Sequence, residues 1–489
     1  MSFILWLTMP AQHGEMTTPA KISNGNIRRM TTSKMNPYQV PDPVSGLPIT
    51  QSQERYHQGQ VLVSMYAGYA MFMVLRMAPA PVSNAIIDDP ALDIDIDDWG
   101  RILATGTVGA VIGKLVSGWA ADRFGGRITF AVGLLVCSLG IAAFAVSTSL
   151  RMFQAAFFIA LMAKSAGWPG MTRIIGKSFR PVEFGRVWGI LSTSSRVGTI
   201  MATFGLGILV AMFSWPALLI IASGCGLVAA AAFNISQKSA ASRLAVLQAK
   251  TNDSKEPTPV RTTGHPLDET TLPQAIGRFC VCGQFWLITG SLTALTVLWD
   301  FLLFLPVFLK DTVGMTDSGA SMASSAFPFG SFISVLAGGF VFDQLSRRST
   351  AWFMGTLLLA ATGCIATFWS FQYMNLSDQA AVGISLVLLF VFGLCVAPCY
   401  YIPMSVFSIQ FGGPHAGFLV ALLDAIAFLV NAVFYWFAGG LAEHSWSQFL
   451  VVLGGIAMLS AILTFAFMLG EARRLDVDSA AANRISPED

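Results

Sequence analysis

The chain is 489 residues long, 54% apolar and only 11% charged, with a formal net charge of +2. Soluble domains carry about 25% charged residues, so this composition excludes an ordinary water-soluble globular protein. The near-neutral balance identifies no partner by itself, and nucleic acid is not expected as one. In chain order, residues 1–58 are polar and rich in Pro, Ser and Thr, the composition of a disordered tail. Six apolar runs follow at 59–83, 99–120, 128–149, 155–176, 186–212 and 214–235. Each is close to the ~20 residues that a membrane-crossing helix needs. The mixed-charge, polar stretch 236–275 reads as a flexible linker. Six more runs occupy 286–309, 319–342, 350–371, 379–403, 414–439 and 447–470, and residues 472–489 form a polar tail. The expected architecture is an all-α membrane protein with twelve transmembrane helices in two six-helix bundles, at 59–235 and 276–471.

Charge placement orients these spans. With the N-terminus inside, the external loops hold only Arg101, Arg151 and Lys310, while the tails and the other loops hold most of the Lys and Arg. Cytoplasmic loops are the ones that accumulate Lys and Arg. Both termini, the linker and the tails are therefore expected in the cytoplasm, with the protein integral to the cell (inner) membrane and monomeric in the bilayer.

The loop between the second and third spans reads Gly113-Lys114-x-x-x-Gly118-x-x-x-Asp122-Arg123-x-Gly125-Gly126-Arg127. A degenerate copy, Gly338-Gly339-x-x-x-Asp343-x-x-x-Arg347-Arg348, sits between the eighth and ninth spans. Two copies in register are the mark of two like, pseudo-symmetric halves. Within the motif, Gly118 is expected to allow close helix approach, Asp122 to cap the following helix, and the cations to stay in water. Gly118, Asp122, Arg123, Arg127 and Asp343 are thus candidate gating residues. The external segment Asp88–Asp98 holds six aspartates. Its intervening isoleucines and missing Gly and distal Glu argue against a calcium loop, and it reads as an acidic loop ending in a helix cap. The seven cysteines form no metal-ligand pattern, and no cofactor or metal is expected. No nucleophile–base pair is visible, so an enzyme is not expected.

Ionisable groups at membrane depth are costly and usually face a cavity or a partner. Lys164, Arg196 and Asp424 lie near the middle of their spans, Lys114 and Asp300 close to it, and Arg76 somewhat outward. The first half contributes only cations and the second only acids. Asn431 and Tyr435 continue the Asp424 face along the eleventh span. Ion pairs such as Arg196 with Asp424 or Lys164 with Asp300 are one reading. The surplus of four cations over two acids favours the other, a cavity for an anion.

Taken together, the sequence resembles the major facilitator superfamily over residues 59–471, and within it the organophosphate:phosphate antiporters that carry glycerol phosphate or hexose phosphate. Gly68 to Arg76 resembles that family's helix 1, whose Arg binds phosphate, and Lys114 sits where its helix 2 Lys does. Gly167-Trp168-Pro169, Arg173 and Lys177 are similar to its helix 4, with Lys177 where some members have a substrate-contacting His. Glu183-x-Gly185 and Val197-Gly198 resemble helix 5, and Pro306 to Lys310 and Gly470 to Arg474 are weaker echoes. The chain departs from the family at Leu298, where a second phosphate-binding Arg is usual. It also has Arg196 where Asn is common and Lys164 where one member has Gln.

The resemblance implies a major facilitator fold and secondary active transport, by symport or antiport, of a small organic anion: a phosphorylated sugar or polyol, or a carboxylate. Arg76 is expected as the main ligand, supported by Lys114, Lys164, Lys177 and Arg196. Asp300, Asp424 and Asn431 would serve proton coupling or ion pairing, which makes protons a candidate partner. The alternatives are a neutral-solute or drug exporter of the same fold and an anion-sensing membrane receptor.

Overall fold

The computed structural model describes residues 51–180, 183–251, 267, 270–374, 376–412 and 415–485. These residues are helical almost throughout, with no strand among them. Eleven helices are long and apolar enough to cross a membrane. The run expected at 155–176 is interrupted instead: α1 (Leu150–Lys164) stops close to mid-span, and α2 (Gly167–Ser178) completes the crossing. Pro169 explains the break, because it has no N–H to give the Ser165 carbonyl and its ring crowds that oxygen. Counted with this broken span, twelve crossings form the two six-helix bundles, within one compact unit from Ile49 to Asp489.

Two expectations about the segments outside the bundles change. The linker is not irregular from residue 236, because one helix, Trp215–Thr251, runs through its first part. The final helix continues to Ile485, well into the 472–489 tail, where an alanine-rich sequence has high helix propensity. The expected N-terminal tail lies outside the described residues up to position 50, and helix α3 (Gln51–Met77) begins before the span boundary at 59.

Small residues set the helix spacing in the first half. In α4 (Ile96–Phe124), a Cβ added at Gly109 or Gly113 would collide with the Phe158 or Met162 carbonyl of α1. That seam brings α4 and α1 close enough for the hydroxyl of Ser165, the residue capping the end of α1, to donate to the Ala110 carbonyl at 2.9 Å. Asp95 caps α4 by accepting from the Asp98 N–H at 2.7 Å, the helix cap expected of the acidic segment.

The two halves are sealed at the end expected to be external. There α4 meets α5 (Ala416–His444), with Gly100 against the Tyr435 carbonyl and Gly439 against the backbone of Ile96 and Asp97. Polar contacts reinforce the seal. Asn84 donates to the Pro306 carbonyl at 3.1 Å, Trp99 to the Leu303 carbonyl at 3.4 Å, and Lys310 pairs with Asp88 across the halves.

Among the described residues, the opposite end makes no comparable contact at the loop motif. A Cβ on Gly118 would meet nothing within 4 Å, so the close approach expected of Gly118 is absent from this conformation. Asp122 does not cap the next helix either. It lies inside the last turn of α4, and Gly125, at φ 83°, makes the turn and stands at the cap position. The Asp122 carboxylate instead accepts from Arg173 Nε at 2.9 Å, within its own half. Asp122→Asn should therefore loosen the α4–α2 corner and slow transport while leaving anion affinity near wild type. Parallel uptake and binding isotherms check this, and an unchanged uptake rate would reduce the pair to a topological anchor.

Candidate functional site

The buried charges converge between the halves. Arg76, in the last turn of α3, donates from Nη2 to Asp300 Oδ1 at 2.6 Å. Asp300 ends α6 (Gly283–Asp300), where the chain tightens into a short 3-10 turn at Phe301–Leu303. Asn431 of α5 donates to its second carboxylate oxygen at 2.8 Å, and the Tyr435 hydroxyl donates to its backbone carbonyl at 2.8 Å. Arg76, Asp300 and Asn431 are 7%, 3% and 0% exposed, so this is a desolvated, cross-bundle ion pair with a neutral third partner. Asn431 and Tyr435, expected to extend the Asp424 face, serve Asp300 instead.

The second cross-bundle pair joins Lys114 of α4 to Asp424 of α5. Tyr400 donates to Asp424 Oδ1 at 3.4 Å, and the Lys114 ammonium lies 3.7 Å from the centroid of the Phe428 ring. Neither pairing suggested by depth alone, Arg196 with Asp424 or Lys164 with Asp300, is formed. The helices bring Arg76 and Lys114 to the acids first, and depth along a span does not encode azimuth.

Two cations remain without a carboxylate. Arg196, on α7 (Phe184–Ile200), is 2% exposed and rests between the rings of Tyr401, 4.2 Å away, and Trp299, 5.0 Å away. It bonds only neutral oxygens, of Ser192, Ser195 and Ser331, and its Nη2 has no partner among the described residues. Lys164, half-buried at the end of α1, makes no hydrogen bond or ion pair among the described residues. An aromatic face offsets part of the cost of a desolvated cation but leaves its charge uncancelled.

The other candidates lie apart from this centre. Lys177 and Arg173 are exposed on α2 and Asp122 is exposed on α4, and Arg123 is exposed while Arg127 is half-buried at the start of the next helix. Asp343 lies near the end of the helix Ala326–Gln344, and its side chain lies outside the described residues. Reading of the sequence missed Tyr400, Tyr401, Phe428 and Ser331. The one available signal was the pair Tyr400-Tyr401 between Pro398 and Pro403, two tyrosines inside a doubly proline-marked span.

A pair of like bundles with charges buried between them is the architecture of a membrane transporter, and similarity to known proteins agrees. The Major Facilitator Superfamily pattern matches residues 61–316, more than half of the chain, and the protein belongs to that superfamily. It is 25% identical over 172 residues to a probable hexose phosphate transport protein of Chlamydia trachomatis, a match covering 35% of this chain and 37% of that one. The chain thus spans little more than a third of the length of that relative. A membrane sensor protein, UhpC of Escherichia coli, is 22% identical over 440 residues, 86% of this chain and 94% of that one. Among solved structures, a D-xylose-proton symporter superposes with a TM-score of 0.63 at 14% identity, covering 84% of this chain and 97% of that one. An inward-facing bacterial homolog of the human lysosomal transporter Spinster gives 0.58 at 17% identity, covering 85% and 96%. At these identities the structural likeness carries the fold alone.

Proposed function

We propose that the protein is a secondary active transporter of a small organic anion, which it binds between its halves and moves by alternating access. The observation that carries this reading is the charge imbalance: with Arg76 paired to Asp300 and Lys114 to Asp424, the basic side chains of Lys164 and Arg196 have no acid partner among the described residues. Buried charge without a counter-charge is strongly unfavourable, so a mobile anion is the natural complement. Held by aromatic faces and neutral oxygens, Arg196 keeps its Nη2 without a partner among the described residues, a donor able to take a carboxylate or phosphate oxygen. The names of the relatives favour a phosphorylated sugar or polyol, or a carboxylate. Placement in the inner membrane with both termini cytoplasmic follows from the Lys and Arg distribution.

Arg76 enters the cycle differently from a permanently free ligand. Asp300 accepts from its Nη2, so an incoming anion competes with that carboxylate for this donor. The displaced Asp300 carboxyl is the proposed site of proton uptake, with Asn431 as its remaining side-chain partner. Anion entry and proton uptake are coupled in this scheme, and Lys114–Asp424 offers a second such pair.

The scheme makes a signed prediction. Asp300→Asn frees Arg76 and should tighten anion binding, yet abolish accumulation driven by a proton gradient while leaving counterflow exchange. Arg196→Ala should lose anion binding at least tenfold. Titration calorimetry with phosphate esters and carboxylates, beside uptake into proteoliposomes, measures both. Weaker binding by Asp300→Asn, or full binding by Arg196→Ala, overturns the respective assignment. A second reading, an anion sensor, is favoured by the near full-length match to a membrane sensor protein. Transport by the purified protein in lipid vesicles without any partner counts against it.

A further inference from the structure

Between Arg196 and the sealed end, the helix that carries Arg196 changes register. After α7 the chain forms a π-helical segment, Met201–Leu206, and then a last α-helical turn, Gly207–Val210. A π-turn closes its hydrogen bonds over one residue more than an α-turn, and such segments are rare. Two backbone carbonyls lose their α-helical donors here. In an α-helix the Thr203 carbonyl would accept from the Gly207 N–H, and the Gly207 carbonyl from the Ala211 N–H. Instead the Gly207 N–H turns to the Phe204 carbonyl and the Ala211 N–H to the Leu209 carbonyl.

The second half supplies the missing donors. From the helix Asp317–Ser324, the Ser321 hydroxyl donates to the Thr203 carbonyl at 2.9 Å and the Ser318 hydroxyl to the Gly207 carbonyl at 2.7 Å. Gly207 admits this approach, since an added Cβ would lie 2.9 Å from Ser321 Oγ and 3.1 Å from Met322 N. Thr203 and Ser321 are both fully buried. A ladder of hydroxyls leads from this point back to Arg196. Thr203 donates to the Thr199 carbonyl at 3.0 Å, and Thr199 to the Ser195 carbonyl at 2.8 Å. The Ser195 hydroxyl in turn accepts from Arg196 Nη1 at 2.5 Å.

A buried backbone carbonyl at membrane depth must find its donor within the protein. Parting the halves at this end withdraws Ser318 and Ser321, and the nearest replacements are the Gly207 and Ala211 N–H groups of the same helix. Accepting from them converts the π-segment to α-helix. We propose that Ser318 and Ser321 are positioning residues for Arg196, holding its helix in the π register while this end is sealed and releasing it to the α register when the end opens. The change moves one part of the helix past the other by one residue, about 100° of turn and about 1.5 Å of rise. Arg196 and the seal therefore take a different relative orientation in each state, which links the anion ligand to closure through one helix. This assignment rests on the alternating-access reading above and adds the residues that couple the site to the seal.

Amide hydrogen exchange on the full-length protein tests the register, with Gly439→Leu holding the end open. Opening an end to water ordinarily speeds exchange, whereas the switch gives the Gly207 and Ala211 amides α-helical bonds. The fragment 201–211 should therefore exchange more slowly in Gly439→Leu than in the wild type. Ser318→Ala/Ser321→Ala leaves two carbonyls without donors in the sealed state. It should raise the reactivity of a single cysteine at this end about tenfold and lower that of one at the opposite end. General loosening of the fold would raise both, and Ser318→Thr, which keeps its hydroxyl, should match the wild type. Deleting Gly205, where an added Cβ would meet nothing within 4 Å, removes the extra residue of the π-turn. In that background the two serine substitutions should have no further effect. Should the deletion fail to fold, the exchange measurement decides. Equal or faster exchange of 201–211 in Gly439→Leu, or serine effects unchanged by the deletion, overturns the switch while leaving alternating access standing. If Gly439→Leu leaves the cysteine at this end unreactive, the alternating-access reading fails and the switch fails with it.

Discussion

Arg76→Ala is expected to destabilise the protein by about 3–5 kcal/mol, because it leaves the Asp300 carboxylate buried with no counter-charge. Asp300→Leu should do the same to Arg76. Each group is almost fully enclosed, 7% and 3% exposed, so water cannot replace the lost partner. The double variant Arg76→Leu/Asp300→Leu removes both charges and substitutes apolar packing. It should recover most of the stability, since a buried pair costs its own desolvation. Proton-driven accumulation should not recover, because the competition between substrate and Asp300 for Arg76 has gone. Thermal unfolding in one detergent, with uptake by the same proteins in vesicles, gives the required ordering. A double variant no more stable than the singles would mean that these groups are anchored by Asn431 and Tyr435 rather than by each other.

Gly439→Leu should abolish transport by preventing closure of the end expected to be external. The glycine lies where α5 crosses α4, and an added Cβ would fall 2.8 Å from Asp97 Cα, with backbone rather than a flexible side chain in the way. Gly100, on the facing helix, meets Tyr435 and Gly439 backbone at 2.7 and 2.8 Å, so both surfaces depend on having no side chain. Backbone cannot yield as a rotamer does, and the halves must separate. Single cysteines placed at that end should become reactive to a membrane-impermeant reagent in the Gly439→Leu background. Gly118→Leu supplies the contrast. Its Cβ meets open space here, so it should leave this sealed state intact and obstruct only a state closed at the other end. Equal reactivity in both backgrounds would separate the glycine contacts from gating.

Much of the protein was legible without coordinates because bilayer thickness and desolvation act on local composition. A run of about twenty apolar residues must be a helix in lipid, whatever its neighbours, and a Lys or Arg outside it reports which side it faces. The twelve runs, the repeated Gly–Asp–Arg loop, and the list of costly charges Arg76, Lys114, Lys164, Arg196, Asp300 and Asp424 all follow from that. Composition also made the imbalance of four cations over two acids visible. What one span alone does not contain is the azimuth and tilt of its neighbours. The pairing of Arg76 with Asp300 and of Lys114 with Asp424, the loss of Asn431 and Tyr435 to Asp300, and the aromatic bed of Arg196 depend on side chains that come from different helices far apart in sequence. The conformational state was equally out of reach. Whether Gly118 or Gly439 is the glycine in contact depends on which end of the two bundles is closed. Only the tertiary structure shows the arrangement in which Gly439 is packed and Gly118 is free.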